Sequence, residues 1–152
     1  MAEIVGREAE LASVRAFLER PADELRALVF DGDPGIGKST LWLAATEAAR
    51  GLGYRVLMSR PAEAEQGLAH SALGDVLEDV LDDVLPELSA PRRRALEVAL
   101  LVDEGTDVDP RTLGVAVRNA LQLVARDAPV ALAIDDVQWL DRSSASALAF
   151  AL

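Results

Sequence analysis

The feature that most constrains this chain is an eight-residue turn, Gly32-Asp33-Pro34-Gly35-Ile36-Gly37-Lys38-Ser39, which fits the pattern G-x-x-x-x-G-K-[ST]. Glycines permit a backbone path that turns successive N–H groups toward one anion. A helix that starts near Lys38 adds the positive end of its dipole to the same point. The context agrees. The turn follows a short apolar run at 27–31, read as a buried strand, and precedes a helical stretch over about 38–50 closed by Gly51 and Gly53. Residues 54–58 then read as a second strand. Strand, helix and strand in that order predict a parallel sheet with crossover helices.

Each residue type in the turn has a chemical task. Gly32, Pro34, Gly35, Ile36 and Gly37 shape the cradle that a phosphate would occupy. Lys38 would reach the outer phosphates of a nucleoside triphosphate. It is the single lysine among fifteen basic residues, so an arginine-rich chain places its one compact ammonium here. The Ser39 hydroxyl is a hard oxygen suited to magnesium, and Thr40 can help hold the α-phosphate. A partner lies downstream. Pro129 introduces the apolar run 130–134, which reads as a central parallel strand and ends in Asp135-Asp136. An acid at the C-terminal end of such a strand faces the crevice where open α/β sheets bind ligands. Asp135 is therefore expected to hold magnesium, and Asp136 to orient or deprotonate a water. Asp is shorter than the Glu common at that second position, so slow hydrolysis is expected.

The rest of the chain reads as scaffold. A helix over about 7–20 carries Leu11, Val14, Phe17 and Leu18 on one face. Residues 60–70 are irregular. The run 71–88 has apolar residues at helical spacing and Asp75, Glu78, Asp79, Asp82 and Asp83 opposite, as a single amphipathic surface helix would. Pro91 and Pro110 open helices over about 91–101 and 110–126, with Asp109 capping the second. A last helix starts near Ser143. His70, the one histidine, reads as an incidental polar residue, and Trp139 as a packing residue.

Composition narrows the functional classes. A net charge of −11 argues against direct nucleic-acid contact by this segment, since backbone affinity needs clustered Lys and Arg. The basic run Arg92-Arg93-Arg94 reads as a solvated helix turn. There are no cysteines, so disulfides and thiolate metal sites are excluded. No apolar run approaches the ~20 residues needed to span a bilayer. The N-terminus lacks a signal-peptide pattern. A soluble, cytoplasmic protein without membrane partners is the expectation.

Five stretches together resemble a known group: Val5-Gly6-Arg7-Glu8, GDPGIGKST at the turn, Arg60-Pro61-Ala62-Glu63, IDDVQWLD at 134–141, and Ser144-Ala145. In order and spacing they are similar to the N-terminal ATPase segment of large LuxR-type transcriptional regulators. Those belong to the STAND group of signalling ATPases, related to the AAA+ superfamily. The resemblance implies a P-loop NTPase fold, an αβα sandwich of three layers around a parallel sheet, with Walker A at 32–39 and Walker B at 130–136. It implies ATP or ADP with Mg2+ as ligands, and Val5, Gly6 and Arg7 at the adenine end. It also implies a slow ATPase whose nucleotide state switches self-association and transcription, with DNA read by a C-terminal domain. The helical pattern still runs at Leu152. Residues 1–152 are therefore expected to be part of such a domain, cut after the Walker B strand and its following helix. Two rival readings remain from the residues: a P-loop kinase passing the γ-phosphate to a small acceptor, and a non-catalytic interaction fragment with an incomplete site.

Overall fold

The computed structural model describes residues 6–20, 25–102 and 108–152. Seven α-helices and two strands are found among them: α1 Glu8–Leu18, α2 Lys38–Gly51, β1 Arg55–Ser59, α3 Ser71–Leu77, α4 Leu81–Val84, α5 Ala90–Ala99, α6 Pro110–Val124, β2 Val130–Ile134 and α7 Arg142–Ala151. β1 and β2 pair in parallel, with Leu57 opposite Leu132 and Ser59 opposite Ile134. Side chains alternate across a strand, so each sheet face has its own core. Leu57, Val130, Leu132 and Ile134 point to one face, against α3, α5, α6 and α7. Val56 and Ala131 point to the other, against Val14 and Leu18 of α1 and Leu41 and Ala49 of α2. Three layers result, as the sequence predicts for an αβα sandwich.

The expected strand at 27–31 is not part of this sheet, which is two-stranded in the order β1–β2. No backbone bond ties the run to β2. Leu25, Leu28 and Val29 stay exposed, and Phe30 alone packs into the α1/α2 core. A lone extended run gains no ladder bonds and buries little, so nothing holds it as a strand. For the same reason every residue of β2 is only partly buried, where a central parallel strand was expected to be covered throughout.

The expected single helix over 71–88 is also interrupted. It runs as α3, a 3-10 turn at Glu78–Val80, α4, and a second 3-10 turn at Leu85–Glu87. The apolar periodicity survives, since Leu73, Val76, Leu77, Val80, Val84 and Leu88 are buried. The opposite face explains the interruption. Glu78 and Asp82, and Asp79 and Asp83, are like charges four residues apart, which destabilises a helix. Arg55 Nη2 draws the Asp79 carbonyl aside at 3.0 Å, and Pro86 cannot donate to the ladder. The other helices match expectation within a residue or two. The predicted cap is present: Asp109 Oδ2 accepts from the Thr112 N–H at 2.7 Å.

Candidate functional site

The glycine-rich turn runs from the exposed 27–31 segment into α2. Gly35 and Gly37 have φ of 79° and 96°, a region that side chains with a Cβ rarely adopt. Gly37 is the N-cap of α2, so the first helical N–H groups open onto the turn. Gly32, Pro34 and Gly35 are exposed, as are Ile36 and Thr40. Lys38 Nζ donates to the carbonyls of Gly32 at 2.7 Å and Asp33 at 3.1 Å. The ammonium therefore lies along the turn it belongs to. The Arg7 guanidinium reaches the same turn from α1's N-terminus and donates to the Ile36 carbonyl, while pairing with Glu10 at 2.8 Å. Gly6 turns with a φ of 80°, and its N–H donates to Glu8. Val5, expected beside them, lies outside the described residues.

Ser39, in the first turn of α2, donates to Asp135 Oδ1 at 3.3 Å. This contact joins two segments separated by 96 residues. Asp135 stands directly after β2, and its N–H donates to the Ser59 carbonyl, continuing the β1–β2 ladder by one bond. The side chain is buried. Its Oδ1 also accepts the Asp136 N–H at 3.1 Å. Its Oδ2 is buried with no hydrogen-bond partner and lies 3.4 Å from Arg60 Nη2. A buried carboxylate oxygen left this way is costly unless a cation approaches it. Together, a buried carboxylate oxygen that has an ion-pair contact but no hydrogen bond and a serine hydroxyl at the head of a phosphate-type turn suit a divalent cation such as Mg2+. No cluster of three or more His, Asp or Glu is present among the described residues. Such a cation would complete its shell with phosphate oxygens and water, as Mg2+ commonly does.

Asp136 has a φ of 46° and an exposed side chain. Its Oδ1 accepts from Gln138 Nε2 at 3.0 Å, and the Gln138 carbonyl accepts from Gln66 Nε2 at 2.9 Å. Neither glutamine stood out in the sequence, since an amide two residues past an acid has no spacing signature. Arg60 carried a readable signal. It follows a parallel strand at the end of the sheet where ligands collect.

Below the acids, Asp141 fastens the loop to the scaffold. Its Oδ1 accepts from the Ser144 and His70 N–H groups at 2.8 and 3.0 Å, and its Oδ2 from the Ala72 N–H at 3.3 Å. One carboxylate thus caps both α3 and α7. Ser144 Oγ accepts a further α3 donor, the Leu73 N–H, at 2.9 Å. Burial pushes the Asp141 carboxyl up, but the hydrogen bonds from Ser144, His70 and Ala72 outweigh it and hold the group below the ordinary aspartate value.

A glycine-rich turn at a helix N-terminus, joined through serine to an acid at the end of a parallel strand, defines a P-loop NTPase fold of the nucleotide-binding class. The chain belongs to the AAA ATPase domain family, whose family model matches residues 3–152. No curated protein and no solved structure gives a match. No helix among the described residues is long and apolar enough to cross a membrane.

Proposed function

We propose that this chain is the ATP-binding, slowly hydrolysing switch module of a signal-responsive LuxR-type transcriptional regulator. The observation that carries the nucleotide site is the Ser39–Asp135 contact, beside a buried Asp135 oxygen without a hydrogen-bond partner. The regulator context rests on the resemblance of the 5–8, 60–63 and 134–141 stretches.

In this reading the N–H groups of 35–40 and the α2 dipole bind the phosphates. Lys38 exchanges its two carbonyls for outer phosphate oxygens. Ser39 and Asp135 hold Mg2+, which when bound neutralises charge on the phosphates. Asp136 keeps one carboxylate oxygen on the Gln138 amide and uses the other to orient water. Arg7 braces the turn at Ile36 beside the adenine end. Positioning and charge neutralisation are the main contributions asked of such a site.

Calorimetry with Mg-ATP, together with turnover measured with and without small phosphate acceptors, tests the proposal. Saturable binding with slow, acceptor-independent phosphate release is expected. Stimulation by an acceptor would favour a kinase, and no binding would leave an interaction fragment.

A further inference from the structure

Arg60 is the cation that the fold sets against Asp135. The ladder bond from the Asp135 N–H to Ser59 fixes the backbone just before Arg60 opposite the acid. The guanidinium lies 3.4 Å from Asp135 Oδ2 and 5.6 Å from the ring centre of Trp42. The two partners differ in how firmly they are held. The Asp135 side chain is 8% exposed and the Arg60 side chain 58%. At 3.4 Å the contact is longer than the roughly 2.7–2.9 Å of a fully formed charge-assisted hydrogen bond. It compensates a buried charge, yet the exposed partner can leave. There is also a place to go. A groove of about 280 Å³ beside β1 is lined by Arg60 with Ser59 and three acids, Asp75, Glu78 and Asp79, which outnumber the one further cation there, Arg50.

We propose that Arg60 is a built-in competitor of the divalent cation for Asp135, displaced toward the acidic groove when the cation binds. A guanidinium and Mg2+ on one carboxylate repel each other, so each excludes the other. Arg60 is thereby a positioning residue that sets how strongly Mg2+ tightens nucleotide binding. Its departure from Trp42 reports occupancy to the 60–70 segment, which already touches the second acid through Gln66 and Gln138. The inference rests on Asp135 as the cation ligand.

Two measurements test it. Calorimetry gives the ADP dissociation constant in EDTA and in Mg2+ for the parent chain, Arg60→Gln and Arg60→Lys. The ratio of the two constants should rise about three- to tenfold in Arg60→Gln, the scale of a half-buried ion pair, and stay near the parent's in Arg60→Lys. An unchanged or smaller ratio in Arg60→Gln overturns the proposal. Separately, Mg2+ alone is titrated against nucleotide-free protein in a Trp139→Phe background, which leaves Trp42 as the one tryptophan. Its emission should shift as Arg60 leaves the ring, and the shift should vanish with Arg60→Gln. A shift that survives Arg60→Gln, or no shift at all, overturns the proposal. Failure to bind ADP under either condition would sink the nucleotide reading instead, while the Trp42 titration still decides the role of Arg60.

Discussion

Lys38 spends its ammonium on two carbonyls of an exposed turn, so removing it leaves no buried group unpaired. Lys38→Ala should therefore keep the fold while lowering ATP affinity by about 2–4 kcal/mol, the scale of losing one partner of a desolvated charge pair. Unchanged affinity in calorimetry would remove the turn from the proposed site. Asp136 differs because its side chain is exposed and is held by the Gln138 amide. Asp136→Asn should spare nucleotide binding and abolish phosphate release, as read in a full-length parent protein. Hydrolysis at the unmutated rate would mean that the water is oriented by another group. At this scale the sequence was most legible where a motif fixes residue type and spacing together, as at 32–39. Gln66 and Gln138 were not legible. Their place depends on a 72-residue separation that only the folded chain closes.

Among the elements, α3 and α7 are coupled by one side chain. Asp141→Ala would orphan N–H donors of His70, Ala72 and Ser144 in a buried place. A cost of about 3 kcal/mol is expected in urea unfolding, from two lost caps and hydrogen bonds to a charged acceptor. Asp141→Asn, which keeps one acceptor oxygen, should cost roughly half as much. The pH dependence has a definite sign. A carboxyl held below its unfolded value contributes stability that is fully present above the ordinary aspartate range, and that is lost as pH falls through the lower folded value. Unfolding free energy measured from neutral into acid pH should fall less steeply in Asp141→Asn than in the parent. A second test concerns α6 against α7. A Cβ on Gly114 would lie 2.6 Å from two Phe150 ring atoms and 2.9 Å from Phe150 Cβ. Helix propensity favours alanine by about 1 kcal/mol, but overpacking costs about 1–3 kcal/mol. Contact close to the α7 backbone decides the sign, so Gly114→Ala should lower the melting temperature. Helix positions were legible from caps and apolar spacing. The breaks at 78–87 were not, because apolar spacing continues through them and the interruption comes from repulsion on the other face and from a bond to Arg55.

For the molecule as a whole, the open edge of the sheet governs behaviour. β2 uses one edge to pair with β1, and among the described residues its other edge has no strand partner. The 27–31 run, which leads into the phosphate-type turn, is related to β2 through the α1/α2 core, on which Phe30 and Ala131 both pack, and through the Ser39–Asp135 contact further on. Three apolar side chains, Leu25, Leu28 and Val29, are 69%, 40% and 79% exposed beside it. Both strands of the sheet were legible as apolar runs, whereas the third run, 27–31, reads as a strand and is not one here, because pairing depends on what lies between the runs and no run encodes its neighbour. In AAA+-like sheets, which this sequence resembles, the strand after Walker B sits between the P-loop strand and the Walker B strand. We propose that such a strand belongs at the unpaired edge of β2, since neighbours spaced about 4.8 Å apart cannot bridge a missing member. Unpaired edges and exposed apolar runs template association between chains. The 152-residue chain is therefore expected to be marginally stable or self-associating, with weak nucleotide binding. A longer chain that supplies the next two strands should be monodisperse and bind Mg-ATP tightly, because 27–31 would then be fixed as a strand and the turn held in register with Asp135. Light scattering, thermal melting and calorimetry on both lengths check this. A monodisperse 152-residue chain that melts cooperatively and binds Mg-ATP tightly would overturn it, and would mean that 27–31 pairs with β2 directly.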